Sequence, residues 1–246
     1  MKILVCISKA PDTTSRIAFT DGDTKFDENG VQFIVNPYDE WYALVRGLEL
    51  KEAAGGSVTT VTVGGADNDP VIRKALAIGA DNAVRIEADP ADAFDVANQI
   101  ACYAKDQGFD LILTGKETIN YNSGVTGALI AEMLDMPYVA LATKLDMNGN
   151  TATITREVSG GSEVVEVNTP VVLSAAKGMA EQRIPNMRGI MAARSKPLEV
   201  VQGVASVCQT AITSYTLPPA KGDVKLIDPE NVQELVNLLH TEAKVI

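Results

Sequence analysis

Residues 57–79 read Ser57-Val58-Thr59-Thr60-Val61-Thr62-Val63-Gly64-Gly65-Ala66-Asp67-Asn68-Asp69-Pro70-Val71-Ile72-Arg73-Lys74-Ala75-Leu76-Ala77-Ile78-Gly79. The β-branched run Ser57–Val63 predicts a strand, because branched side chains suit a pleated surface and resist a helix. Two glycines stop it. Asp69 followed by Pro70 opens a helix, and Gly79 closes it. The same order of strand, loop and helix repeats on both sides. Lys2–Ile7, Ala83–Glu87, Asp110–Thr114 and Tyr138–Ala142 are the other predicted strands. Asp39 is placed to cap a helix with Leu44, Val45 and Leu48 on its apolar face, ending at Gly55-Gly56. Asp89-Pro90 opens another, with Val96, Ala97, Ile100 and Ala104 on one side. Strands alternating with helices of this length imply right-handed crossovers, hence an α/β fold whose parallel sheet has helices on both faces. Ligands of such sheets bind outside the carboxyl ends of the strands, so the loops that matter begin at Ser8, Gly64 and Gly115.

After Lys144 the period changes. Thr151–Val158 and Glu163–Asn168 alternate around Ser159-Gly160-Gly161-Ser162, which predicts an antiparallel hairpin added at the sheet edge, and Pro170–Ala175 returns as an apolar strand. Ser159–Glu163 is similar to the S-G-G-x-D-S pyrophosphate loop of adenylyl-transferring ligases, but Glu163 and Val164 stand where Asp-Ser is needed, so it reads as a turn. From about Gly178 regular period is lost. Gln182–Lys196 carries Arg183, Arg188, Arg194 and Lys196 and no acid. Val200–Ala220 is extended, and Asp228-Pro229-Glu230 starts a short helix with Val232, Leu235, Val236 and Leu239 as one stripe. This divides the chain into residues 1–200, an α/β domain that includes a basic loop at about 182–197, and residues 201–246, an extended C-terminal arm. The arm either folds back on its own domain or lies on another subunit.

Composition narrows the function. The 246 residues are 46% hydrophobic and 22% charged, enough to bury a core. With 32 acidic against 21 basic residues the net charge is −11, which argues against nucleic acid or an anionic membrane as partner. Cys6, Cys102 and Cys208 are far apart, odd in number and set among apolar or small residues, so they read as buried thiols rather than a disulfide or metal site. His240 is the only histidine, which leaves metal binding and histidine-based catalysis almost nothing to work with. No apolar run approaches the ~20 residues that span a bilayer. Met1-Lys2 runs straight into a predicted strand rather than a signal core, so a cytoplasmic location without a targeting segment is expected.

Three segments converge on the predicted strand ends. Val35-Asn36-Pro37-Tyr38-Asp39-Glu40 is a turn entering a helix. Val61-Thr62-Val63-Gly64-Gly65 allows close approach of a ligand to the backbone. Thr114-Gly115-Lys116-Glu117-Thr118-Ile119-Asn120-Tyr121-Asn122-Ser123-Gly124-Val125-Thr126-Gly127 ends where a helix starts, so its last amides and the helix dipole favour a phosphate. No P-loop or G-x-G-x-x-G is present. From the residues alone, the Ser/Gly/Thr loop serves equally as a plain helix cap, and Lys116 as a solvated lysine.

With these residues in view, the chain resembles the beta subunit of electron-transfer flavoproteins from Met1 to about Val201. The resemblance is carried by Lys2–Asp12, by Asn36-Pro37-Tyr38-Asp39, by Arg73–Asp81, and by the signature Arg156-Glu157, Gly160-Gly161, Glu163 and Pro170-Val171-Val172-Leu173-Ser174. Ser159 departs from it, where an acid is usual. The resemblance implies an adenine nucleotide alpha hydrolase-like, Rossmann-type domain without catalytic side chains. It implies an electron carrier that serves fatty acid β-oxidation and related pathways. Such a carrier pairs with a larger alpha subunit that holds FAD, accepts electrons from acyl-CoA or other flavin dehydrogenases, and passes them to a quinone reductase or similar acceptor. It further implies AMP in this subunit, at Cys6, Asn36, Pro37, Tyr38, Asp39, Val63, Asn120, Tyr121, Asn122, Ser123, Gly124, Val125, Thr126, Gly127, Ala128, Leu129, Ile130 and Ala131. Thr13 and Tyr38 would lie near the flavin of the alpha subunit, with Thr13 standing where many members have an aromatic. Arg183, Met187, Arg188 and Arg194 would grip partner dehydrogenases, Met187 as the apolar anchor. Asn120, Asn122, Val125 and Ala128 depart from the acidic and Gln residues of familiar AMP binders, and the Thr-Ala-Gln-Val-Gly-Pro run of bifurcating relatives is absent too. A second FAD in place of AMP, and hence electron bifurcation, is the alternative. A stand-alone adenine-nucleotide sensor and an adenylyl ligase are the readings from other functional classes.

Overall fold

The computed structural model describes residues 1–205 and 207–246. Its elements in chain order are β1 (Lys2–Cys6), β2 (Lys9–Pro11), β3 (Phe19–Thr20), β4 (Lys25–Phe26), β5 (Phe33–Val35), α1 (Asp39–Ala54), β6 (Ser57–Val63), α2 (Asp69–Ile78), β7 (Asn82–Glu87) and α3 (Ala93–Ala104). There follow β8 (Leu111–Gly115), α4 (Thr126–Leu134), β9 (Tyr138–Asn148), β10 (Thr151–Val158), β11 (Gly161–Asn168), β12 (Val171–Ala175), α5 (Met187–Ala193), β13 (Leu198–Gln202) and α6 (Val232–Leu238). They form two compact units, residues 1–17 with 27–213, and residues 18–26 with 214–246.

The larger unit is built on one sheet in the order β11-β10-β9-β12-β8-β1-β6-β7-β13. β1 pairs in parallel with β6 and β8, and β12 pairs in parallel with β8 and β9. The hairpin β10–β11 is antiparallel and forms one edge, as its alternation predicts. Side chains of β1 alternate between two cores. Ile3 and Val5 join Leu44 and Leu48 of α1 and Ile72 and Leu76 of α2, whereas Leu4 and Cys6 join Ala97 and Ile100 of α3 and Ile130 of α4. A sheet covered on both faces needs apolar residues at every strand position, which is why β1 shows no polar alternation. The chain runs from β1 outward to β6 and β7, then crosses back to β8 on the other side of β1. That reversal opens a crevice beyond the carboxyl ends of β1 and β8.

Four local expectations change. Asp39 begins α1 instead of capping it, because Tyr38 occupies the cap position at φ 69. α3 starts at Ala93, capped by Asp92, whose side chain accepts from the Asp95 amide at 2.9 Å, so Asp89-Pro90 lies in the loop before it. The region after Gly178 is more regular than its composition suggests: it forms α5 and then β13, which adds to the β7 edge in parallel. Of the cysteines, Cys6 is buried but Cys102 and Cys208 are exposed. Cys102 sits on the outward side of α3, whose Ala101 and Ala104 face in.

The smaller unit pairs β3 with β4, stacks Phe19 on Tyr215 at 4.7 Å, and carries α6 with none of its residues buried.

Leu113 of β8 is 1% exposed within the α1/α2 core. Leu113→Ala should lower unfolding free energy by about 3 kcal/mol in urea titration, the cost of a cavity that close packing cannot collapse. A loss under about 1 kcal/mol would show that the core relaxes around the gap.

Candidate functional site

The crevice is bordered by the loops after β1, β6 and β8, and its first fixed point is Asn36. The side chain is fully buried; its Nδ2 donates to the Glu117 carbonyl at 3.0 Å and its Oδ1 accepts from the Ile119 amide at 3.4 Å. The Asn36 amide donates to the Ser8 carbonyl at 3.3 Å. Asn36 thus ties the loop after β1, through its backbone, to the loop after β8, through its side chain. Glu40 is the second fixed point. Ser8 donates to it twice, from its backbone N at 2.7 Å and from its Oγ at 2.6 Å.

Gly115 makes this approach possible. A Cβ there would stand 2.9 Å from Cγ of Glu40 and 3.0 Å from its backbone N, so only glycine lets β8 end against the start of α1. Gly127 plays the same part for α4: a Cβ would lie 2.8 Å from Thr114 Oγ1 and 3.0 Å from the Tyr138 ring. The loop between them closes on itself, with Thr118 N donating to Ser123 O at 3.3 Å and Asn122 N to Thr118 O at 2.9 Å. At the end of β6, buried Arg85 donates to the Gly64 carbonyl at 3.1 Å and pairs with Asp69 at 2.9 Å, which fixes the glycine turn.

The electrostatics follow from burial. Loss of water pushes the Glu40 carboxyl up to about 7, against the hydrogen bonds from Ser8 and Asn36, and Asp39 adds to the rise. Burial likewise pushes Asp39 up to about 6; the Lys116 ammonium opposes this and Glu117 adds to it. Burial, then the charge of Glu40, raises the Cys6 thiol far above its ordinary value, so it is no nucleophile.

The expected site residues divide by depth. Asn36 and Asp39 are buried at the crevice, Pro37 is half-buried, and Tyr38 projects with 53% exposure from a backbone at φ 69. Such a φ is strained for a bulky residue and is held here by its neighbours. Asn120, Tyr121, Asn122, Gly124 and Val125 are exposed, and Ser123, Thr126, Ala128 and Leu129 half-buried. Gly127, Ile130 and Ala131 are buried; Ile130 and Ala131 pack with Cys6 in the α3/α4 core, against which half-buried Val63 also rests. The α4 amides begin at Thr126, and the first turn of a helix has no acceptors of its own. Thr118 Oγ1 is a buried atom without a hydrogen-bond partner in the same loop. A phosphate-bearing ligand fits this chemistry. Thr13 is exposed in the loop after β2. Arg183, Met187, Arg188 and Arg194 do not join the crevice; they lie on α5 and the segments flanking it, which packs on α2.

Comparison with known proteins accords with this geometry. The sequence profile of the Electron transfer flavoprotein domain matches residues 23–206. The electron transfer flavoprotein subunit beta of Bacillus subtilis (strain 168) is 38% identical over 261 residues, covering 100% of both chains. That of Syntrophomonas wolfei is 36% identical over 235 residues, 94% of this chain and 92% of its own. The chain belongs to the electron transfer flavoprotein beta-subunit family. A mitochondrial relative from rice, Oryza sativa subsp. indica, is 29% identical over 256 residues, again covering 100% of both chains. Membership accounts for an electron-transfer role and for the parallel α/β sheet. Among the described residues no helix is long and apolar enough to cross a membrane.

Sequence reasoning passed over Ser8 and Glu40 as the clamp of the strand-end crevice. An acid in the first turn of a helix reads as a partner for the helix dipole. Only the contact between residues 32 positions apart shows Glu40 to be a buried acceptor.

A carboxyl whose folded value lies above its unfolded value stabilises the fold below its ordinary value, and that contribution is lost as pH rises through the folded value. For Glu40 this window runs from 4.5 to about 7. The wild type should therefore lose stability between pH 4.5 and about 7, by roughly 3 kcal/mol at most from this group. Glu40→Gln should show a shallower decline in urea midpoints across that range. Parallel declines in the two proteins would assign the titration to another group.

Proposed function

We propose that this chain is the beta subunit of an electron-transfer flavoprotein heterodimer. The larger alpha subunit holds the working FAD, accepts electrons from flavin dehydrogenases such as acyl-CoA dehydrogenases, and passes them to a quinone reductase or similar acceptor. This subunit holds AMP in the strand-end crevice and performs no chemistry of its own. The FAD supplies one- and two-electron chemistry when bound. The residues here orient, enclose and dock.

The observation that carries the nucleotide reading is the buried Asn36 bridge. It gathers the loops after β1 and β8 beside the first turn of α4. In this reading backbone groups at Cys6 and Val63 face the adenine, and Ser123–Gly127 with the α4 dipole hold the phosphate. A catalytic reading finds little support in the crevice, where the thiol is buried and the carboxylates are drawn out of water. The name subunit beta, borne by relatives matched along their full length, supports a protein that works as part of a larger assembly. The exposed stripe of Val232, Leu235 and Val236 on α6, together with exposed Val224 and Leu226, supports an arm completed by the alpha subunit.

Co-expressed with its alpha partner, the heterodimer should yield one FAD and one AMP when denatured and weighed by mass spectrometry. Two FAD and no AMP would replace this reading with the bifurcating one, and a complex lacking both AMP and a second flavin would remove the nucleotide site. Met187 is 73% exposed on α5. Met187→Ala should raise the KM of an acyl-CoA dehydrogenase for the carrier several-fold while flavin content stays constant, as expected for loss of an apolar anchor. An unchanged KM would end the anchor role.

A further inference from the structure

Helix α5 has seven residues, too few to be helical in water without help. Asn186 caps its start, with Oδ1 accepting from the Gly189 amide at 2.8 Å, and side chains from α1 and α2 fix both flanks. Ahead of it, Trp41 Nε1 donates to the Arg183 carbonyl at 3.3 Å, and Arg183 forks onto Glu52 of α1 at 2.6 and 3.1 Å. Behind it, two cations trade places. Arg73 of α2 donates from Nη1 to the carbonyls of Ala193 at 2.8 Å and Lys196 at 2.7 Å, where α5 ends. Lys196, just past α5, donates from Nζ to the carbonyls of Leu76 at 2.9 Å and Ala80, where α2 ends. Each helix thus receives the other's cation at its unsatisfied, negative carboxyl end. The two helices touch closely in between, since a Cβ on Gly189 would fall 2.5 Å from the Ala77 carbonyl.

We infer that Arg73 and Lys196 are positioning residues that hold α5 as a preformed docking platform for the electron donor. This rests on the docking role proposed above for Met187. Met187, Ile190 and Met191 are exposed on this short helix at 73%, 41% and 68%. Exposed apolar side chains on a frayed segment would have to be ordered at each encounter, a cost that preorganisation removes. The bases Arg188 and Arg194 are exposed on the same helix and just past it, and residues 182–196 contain no acid in a chain of net charge −11. The platform therefore suits an acidic face on the donor.

The test uses the FAD-loaded heterodimer carrying Arg73→Gln, Lys196→Met, both together, or Lys196→Arg, with an acyl-CoA dehydrogenase reduced by its substrate as donor. The two single neutral variants should raise KM for the carrier about tenfold, with kcat and flavin content unchanged, since binding and not electron transfer loses its preorganisation. The double variant should be no worse than either single, because both cations serve one element. Lys196→Arg should retain most of the wild-type KM. Tryptic cleavage after Arg188 and Arg194 should accelerate in the neutral variants alone. An unchanged KM in both neutral variants overturns the inference, as does a fall in kcat and flavin content matching the rise in KM. A wild type that takes no electrons from the dehydrogenase removes the reading of function and the docking role with it, whereas unchanged tryptic rates remove the clamp alone.

Discussion

The crevice rests on a buried polar bridge from Ser8 through Glu40 and Asn36 to Glu117 and Ile119. A parallel sheet sends every strand out at the same end, and nothing in the sheet fixes how its exit loops sit against one another. Here that is done by one carboxylate and one carboxamide withdrawn from water. Buried polar groups are costly when unpaired and strongly directional when satisfied. The bridge therefore selects one arrangement of the rim. Gly115 is its steric condition, since a side chain there would push α1 off the end of β8.

In the proposed reading the same bridge suits the rim to holding a ligand. A general acid or base must exchange protons with its substrate, and a nucleophile must be exposed and anionic. Glu40 spends both carboxylate oxygens on Ser8, and Cys6 lies in the α3/α4 core with its thiol kept neutral by burial. What a ligand meets in that reading is the first turn of α4, whose amides have no acceptors within the helix. Those groups bind by geometry and dipole, without titrating across the physiological range.

Much of the fold was legible in the sequence, because parallel strands buried on both faces announce themselves as continuous β-branched runs between glycines and capped helices. β1, β6, β7, β8, α2 and the β10–β11 hairpin fall within a residue or two of where pattern puts them. The rest was hidden for a physical reason in each case. β13 is a five-residue edge strand with no residue fully buried, too short to show a period, and its pairing with β7 is a long-range event. α5 is too short to show a period and is held by cations from elsewhere. The candidate site was legible as three loops, since glycines and a helix start mark them. Asn36 was legible as part of an Asn-Pro turn. Glu40 and Ser8 were not, because a buried hydrogen bond across 32 residues leaves no local trace.

Helix α2 stands between the two surfaces proposed for function. Its amino end follows the Gly64-Gly65 turn, anchored through Asp69 to Arg85, and its carboxyl end receives Lys196 behind the docking helix. Energetic coupling between two sites needs an element with two arrangements that both sites bias. Pro70 and Gly79 bound α2, and Ile72 and Leu76 are buried to 1% and 0% exposure in the α1/α2 core, which holds it to one. A rod of ten residues, about 15 Å long, then separates the sites without wiring them together. In the proposed reading nucleotide and donor then bind independently, since coupling free energies are reciprocal and neither site biases the other. That is the behaviour suited to a carrier that meets partners repeatedly and keeps its nucleotide throughout.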